Sequence, residues 1–191
     1  VGAVLACCFT NCLQPFVEIW IGDQYIVPFI WVAVIVFNNY VDEIMNPVWI
    51  FRETMGLFQQ VKYLMLIAAV LNLILSVILG IKWGVPGILL ATVVSKLATQ
   101  YWYEPRLLYR QRFHRPLKAF YLIVFKNVVA CVLAIVLSLW VCSYMGNSLL
   151  EIVLRATAAG IIAVACVWLV HFRSEAWNDL WFRYIVPLIR R

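Results

Sequence analysis

Apolar residues fall into six long runs separated by short polar breaks. The first extends from Val1 to about Ile21 and closes on Gly22-Asp23-Gln24-Tyr25. The others cover about residues 26–51, 63–81, 86–103, 119–145 and 149–172, with Gly146-Asn147-Ser148 after the fifth. Each is long enough to cross about 30 Å of hydrocarbon as an α-helix, the fourth only just. Membrane strands would alternate polar and apolar positions, whereas these runs are apolar on most sides. The expected fold is all-α, a polytopic bundle of about six transmembrane helices. Gly80, Gly84, Pro86 and Gly87 predict a tight turn between the third and fourth, with Pro86 in the first helical turn. Asn72 and Ser76, four residues apart, predict hydrogen bonding between helices.

The last segment, 173–191, reads differently. Trp177, Leu180, Trp181, Tyr184, Ile185 and Leu188 recur at helical spacing, while Asn178, Asp179 and Arg183 fall on other faces. That is the pattern of an amphipathic helix lying in the cytoplasmic membrane interface.

Composition agrees with the runs. Of 191 residues 65% are hydrophobic and only 13% charged, with a mean hydropathy of +0.93. A soluble domain carries about 25% charged residues, so a water-soluble globule is excluded on composition, and the partner expected is the lipid bilayer. The net charge of +6 does not call for nucleic acid, because basic excess in membrane proteins collects in cytoplasmic loops. Its placement supports the span count. Arg52 and Lys62 follow the second run, and Arg106, Arg110, Arg112, Arg115 and Lys118 follow the fourth. Arg173, Arg183, Arg190 and Arg191 follow the sixth, which places eleven of the fifteen basic residues on one side. The opposite breaks hold Lys82 alone. The basic side and the C-terminus are expected to be cytoplasmic.

Polar residues inside the runs are the candidates for function, since ionisable groups in a membrane are costly. Asn38, Asn39, Asp42, Glu43 and Asn46 share an arc of roughly 140° on the second helix, so that face cannot meet lipid. Pro47 follows and predicts a kink. In the fourth run Thr92, Ser95, Lys96, Thr99, Gln100 and Tyr103 form a second polar stripe. Lys96 lies near mid-span, with Asp42 or Glu43 as its expected partner. A water-lined cavity and a packing ion pair satisfy the same energetics, and both readings stay open. Lys126 and Arg155 lie within about two turns of helix ends and are expected to snorkel.

No catalytic constellation is present in the motifs. HExxH, the P-loop and GxSxG are absent, and His114 and His171 have no matching nucleophile. The six cysteines lie in apolar runs without CxxC spacing, which reads as small core residues rather than a metal or disulfide framework. No enzyme activity, cofactor or metal is expected. The sequence opens inside an apolar run with no Met and no basic stretch, so a preceding N-terminal part is expected.

Several stretches carry a family likeness. Asn46-Pro47-Val48-Trp49-Ile50-Phe51-Arg52-Glu53-Thr54-Met55-Gly56-Leu57-Phe58 resembles a cytoplasmic loop of bacterial polysaccharide flippases. Asn72-Leu73-Ile74-Leu75-Ser76 through Gly80, then Trp83-Gly84-Val85-Pro86-Gly87 through Ala91-Thr92, is similar to the O-antigen and capsule repeat-unit exporters of the multidrug/oligosaccharidyl-lipid/polysaccharide superfamily. Trp102-Tyr103-Glu104-Pro105 with Leu108-Tyr109, and Leu13-Gln14-Pro15-Phe16 with Trp20-Ile21-Gly22, extend the likeness over about residues 13–112. The resemblance implies two six-helix lobes around a cavity that opens alternately to either side of the bacterial plasma membrane, of which this chain would be most of the C-terminal lobe. It implies a lipid-linked glycan as substrate and other polysaccharide-assembly proteins as partners. Lys96 would face the pyrophosphate, and Asp42 and Glu43 could instead hold a coupling cation. The rival readings are a cation-coupled multidrug exporter, a membrane glycosyltransferase or acyltransferase with its catalytic part elsewhere, and a packing subunit of a larger complex.

Overall fold

A computed structural model describes residues 1–113, 116–146 and 148–172. The amphipathic tail expected over 173–191 lies outside the described residues, as do His114 and Arg115. The protein is an all-α helical bundle, with no strand among the described residues. Its helices are α1 (Gly2–Trp20), α2 (Phe29–Thr54), α3 (Phe58–Trp83), α4 (Val85–Ala98), α5 (Gln100–Leu108), α6 (Leu117–Cys142) and α7 (Leu149–His171). Four of them, α1, α3, α6 and α7, are long and apolar enough to cross a membrane. Helix α2 has the length, but its polar residues keep it from that class. Apolar side chains point outward on these helices: Leu73 is 67% and Ile81 83% exposed. That inside-out pattern suits a hydrocarbon surround.

Five of the six expected spans are single helices with shifted ends, and the fourth is not. Instead of one helix over 86–103, the chain forms α4 and α5, which meet at Thr99 and continue into a π-helical turn, Tyr109–Phe113. The break expected over residues 52–62 shrinks as well, because α2 runs on to Thr54 and α3 begins at Phe58. A Schellman ending explains the shortness. The Leu57 amide donates to Arg52 O at 3.1 Å and the Gly56 amide to Glu53 O at 3.1 Å, which requires Gly56 at its φ of +66°. Leu57 then folds back, buried, onto Met45 and Val48. The turn after α3 is tight because Gly87 sits against it: a Cβ there would lie 2.1 Å from Leu79 O.

Packing divides the bundle in two. Helices α1, α6 and α7 pack through small side chains, with Cys7, Ala134, Ala159 and Ala163 fully buried. Small residues let helix backbones approach where no hydrophobic force drives them together. All six cysteines are free thiols, and Cys8 Sγ donates to Ala156 O across to α7 at 3.6 Å. Helices α3 and α4 form the second group. Helix α2 touches both, contacting α1, α4 and α5. Asn11 Nδ2 donates to Ser138 Oγ at 2.9 Å and Tyr40 Oη to Asn127 O at 2.7 Å, tying α1 and α2 to α6.

Candidate functional site

Lys96 and Asp42 meet where α4 crosses α2. Lys96 Nζ donates to Asp42 Oδ1 at 2.7 Å and Oδ2 at 2.8 Å. The same ammonium lies 5.9 Å from the centroid of the Trp49 ring, within cation–π reach. Two turns along α2 separate Asp42 from Trp49, so one helix face supplies both an anion and an aromatic plane to a cation from its neighbour. The pair is half-buried, with side-chain exposures of 22% for Lys96 and 37% for Asp42. Lys96 pairs with Asp42 and not with Glu43.

Of the α2 stripe, Asn39, Asp42, Glu43 and Asn46 open onto a cavity of about 170 Å³ against α1, and Asn38 does not. Asn39, Asp42, Glu43, Asn46 and Trp49 line one wall, and Gly2, Leu5, Ala6 and Phe9 the other. Glu43 presses against Gly2, where an added Cβ would meet its Cβ at 3.0 Å. Asn39 Nδ2 is taken by Ile35 O at 3.0 Å. Asn38 Oδ1 and Trp49 Nε1 are buried without a hydrogen-bond partner in the protein, as is the Tyr101 hydroxyl, which lies within electrostatic reach of Asp42. Of the three only Trp49 lines the cavity, where a polar ligand or water can satisfy its Nε1.

The α4 stripe is used differently. None of it lines this cavity, and Lys96 borders it only through its bond to Asp42. Thr92 Oγ1 donates to Ile88 O, Ser95 Oγ to Thr92 O and Thr99 Oγ1 to Ser95 O, so these hydroxyls bond to their own helix. Ser95 also accepts from Asn72 Nδ2 at 3.3 Å, an expected bond between helices, whereas Ser76 Oγ donates to Asn72 Oδ1 at 3.0 Å within α3. Gln100 opens α5 and is part-buried. Arg155 Nη2 donates to Met145 O in the turn after α6, so this guanidinium does reach toward its helix end.

A second ion pair was not anticipated. Arg52 Nη1 donates to Glu104 Oε1 at 3.0 Å and Oε2 at 3.1 Å, with side-chain exposures of only 8% and 1%. Arg52 Nη2 also reaches Glu53 Oε1 at 3.2 Å. Hydropathy alone places Arg52 in a cytoplasmic loop. The signal that could have found it is its spacing: Met45, Val48 and Arg52 share one face of α2, as Glu104 and Leu108 share one face of α5. Those faces build the cluster of Met45, Val48, Leu57 and Leu108 beside which the pair lies.

The fold and the site thus define a helical bundle with membrane-length helices and a half-exposed ion pair beside a small cavity between α1 and α2. Comparison of the chain with protein-family models, with curated proteins and with solved structures gave no significant match.

Proposed function

We propose that the chain is part of a membrane transporter that flips a lipid-linked oligosaccharide, a polysaccharide repeat unit, across the bacterial plasma membrane by alternating access. The observation that carries this reading is the Lys96–Asp42 pair next to the α2 cavity. Charges retained only for packing would be expected fully enclosed, as Arg52 and Glu104 are. Lys96 is instead within reach of a ligand, and its ammonium suits a phosphate as a compact point charge with three donors. The Trp49 ring offers a face to the same ligand. The resemblance over residues 13–112 supplies the substrate class. No covalent step is involved: binding energy released at one face is exchanged for a change of access.

Full-length protein carrying Lys96→Ala, expressed in cells that depend on it for surface polysaccharide, tests the proposal. We expect export to fall to background with expression and folding unchanged; normal export would refute the role of Lys96.

A cation-coupled drug exporter is the second reading, favoured by the two carboxylates Asp42 and Glu43 on one cavity wall. It would be preferred if the full-length protein extruded small amphiphiles in a cation gradient and cells lacking it kept their surface glycan.

A further inference from the structure

Two ion pairs bracket the one break between α4 and α5, and both are anchored on α2. Asp42 holds Lys96 on the α4 side, and Arg52 holds Glu104 on the α5 side. The break itself has a local cause. In an unbroken helix the Thr99 amide would donate to Ser95 O. Here the Thr99 hydroxyl takes that carbonyl at 2.6 Å, and the amide turns to Lys96 O at 3.2 Å. The backbone at Thr99 leaves the helix, with φ −119° and ψ −76°. Back-bonding by Thr bends helices in this manner.

The two sides of the break are held unequally. On the α5 side the ion pair is enclosed and Leu108 is packed in the Met45–Val48–Leu57 cluster. Pro105 has no amide for Tyr101 O, and the Tyr121 hydroxyl of α6 donates to that carbonyl at 3.3 Å instead. On the α4 side the charged link to α2 is the half-exposed Lys96–Asp42 pair; α4 also touches α2 directly, but it is packed chiefly on α3. A charge pair open to water contributes little, and its geometry is easily exchanged for another partner.

We infer that Thr99 is a hinge about which α4, moving with α3, swings against a fixed α5, and that the Lys96–Asp42 pair is the latch holding α4 on α2. Any anion that takes the Lys96 ammonium from Asp42 releases the latch, while Arg52–Glu104 keeps the pivot in place. The hinge goes beyond the transport proposal and requires no particular substrate.

Hydrogen exchange of the full-length protein in lipid nanodiscs, read by mass spectrometry without added glycan, tests it. Asp42→Asn is expected to speed exchange over residues 92–99 by about threefold, the scale of losing a half-exposed pair, and to leave 102–108 unchanged. The reversed pair, Asp42→Lys with Lys96→Asp, is expected to restore the original rates. Thr99→Val, which keeps the shape and removes the hydroxyl, is expected to slow exchange at 99–101 as the amide regains Ser95 O. Equal responses in 92–99 and 102–108, or no response to Thr99→Val, would overturn the hinge. Raised exchange in the reversed pair would overturn the latch. Because no glycan is present, either result is independent of whether polysaccharide is the cargo.

Discussion

At the scale of single residues, the two ion pairs show how burial separates a structural charge from an accessible one. Arg52 and Glu104 are enclosed, so removing one partner leaves a buried charge uncompensated. Glu104→Gln is expected to cost about 3 kcal/mol, the low end for such a loss, because Glu53 still touches the guanidinium. Unfolding in dodecylmaltoside by added SDS, followed by tryptophan fluorescence, measures it. The double change Arg52→Met with Glu104→Leu is expected to recover most of that stability, since apolar packing replaces a desolvated pair. The Lys96 partnership was legible in the sequence because a lysine at mid-span must find an anion, and only Asp42 and Glu43 lay at the matching depth. Which of the two it takes depends on rotation about α2, set by packing of α2 on α1 through residues such as Val32 and Ala6. The Arg52–Glu104 pair was not legible as a pair, because one-dimensional hydropathy assigns any arginine after an apolar run to a loop.

At the scale of elements, helix identity followed from apolar runs, while helix ends and the interruption at Thr99 followed from local hydrogen bonding. The end of α2 depends on Gly56, whose φ of +66° penalises a side chain. Gly56→Ala is expected to destabilise the bundle by about 1–2 kcal/mol in the same unfolding assay. The α3–α4 turn depends on Gly87, where a methyl would strike Leu79 O. Gly87→Ala is expected to cost about 1–3 kcal/mol, the range for overpacking, and to weaken the Asn72–Ser95 link as the helices part. Neither the Schellman ending nor the break at Thr99 shows in hydropathy. The apolar run continues through Leu97 and Ala98, and a threonine there looks like any other polar stripe residue until its hydroxyl is seen on Ser95 O.

At the scale of the whole molecule, α1, α6 and α7 form one packed group and α3 and α4 another, with α2 touching both. The Lys96–Asp42 pair lies where α2 meets α4. The transport proposal rests on that site and not on the hinge, and the direct measurement is transbilayer movement itself. Full-length protein reconstituted in liposomes with a fluorescent polyprenyl-pyrophosphate oligosaccharide gives the rate at which label reaches the far leaflet. We expect wild-type protein to raise that rate well above protein-free liposomes and Lys96→Ala to return it to the protein-free value. Wild-type protein that moves the lipid-linked glycan no faster than an empty bilayer would contradict the proposed function.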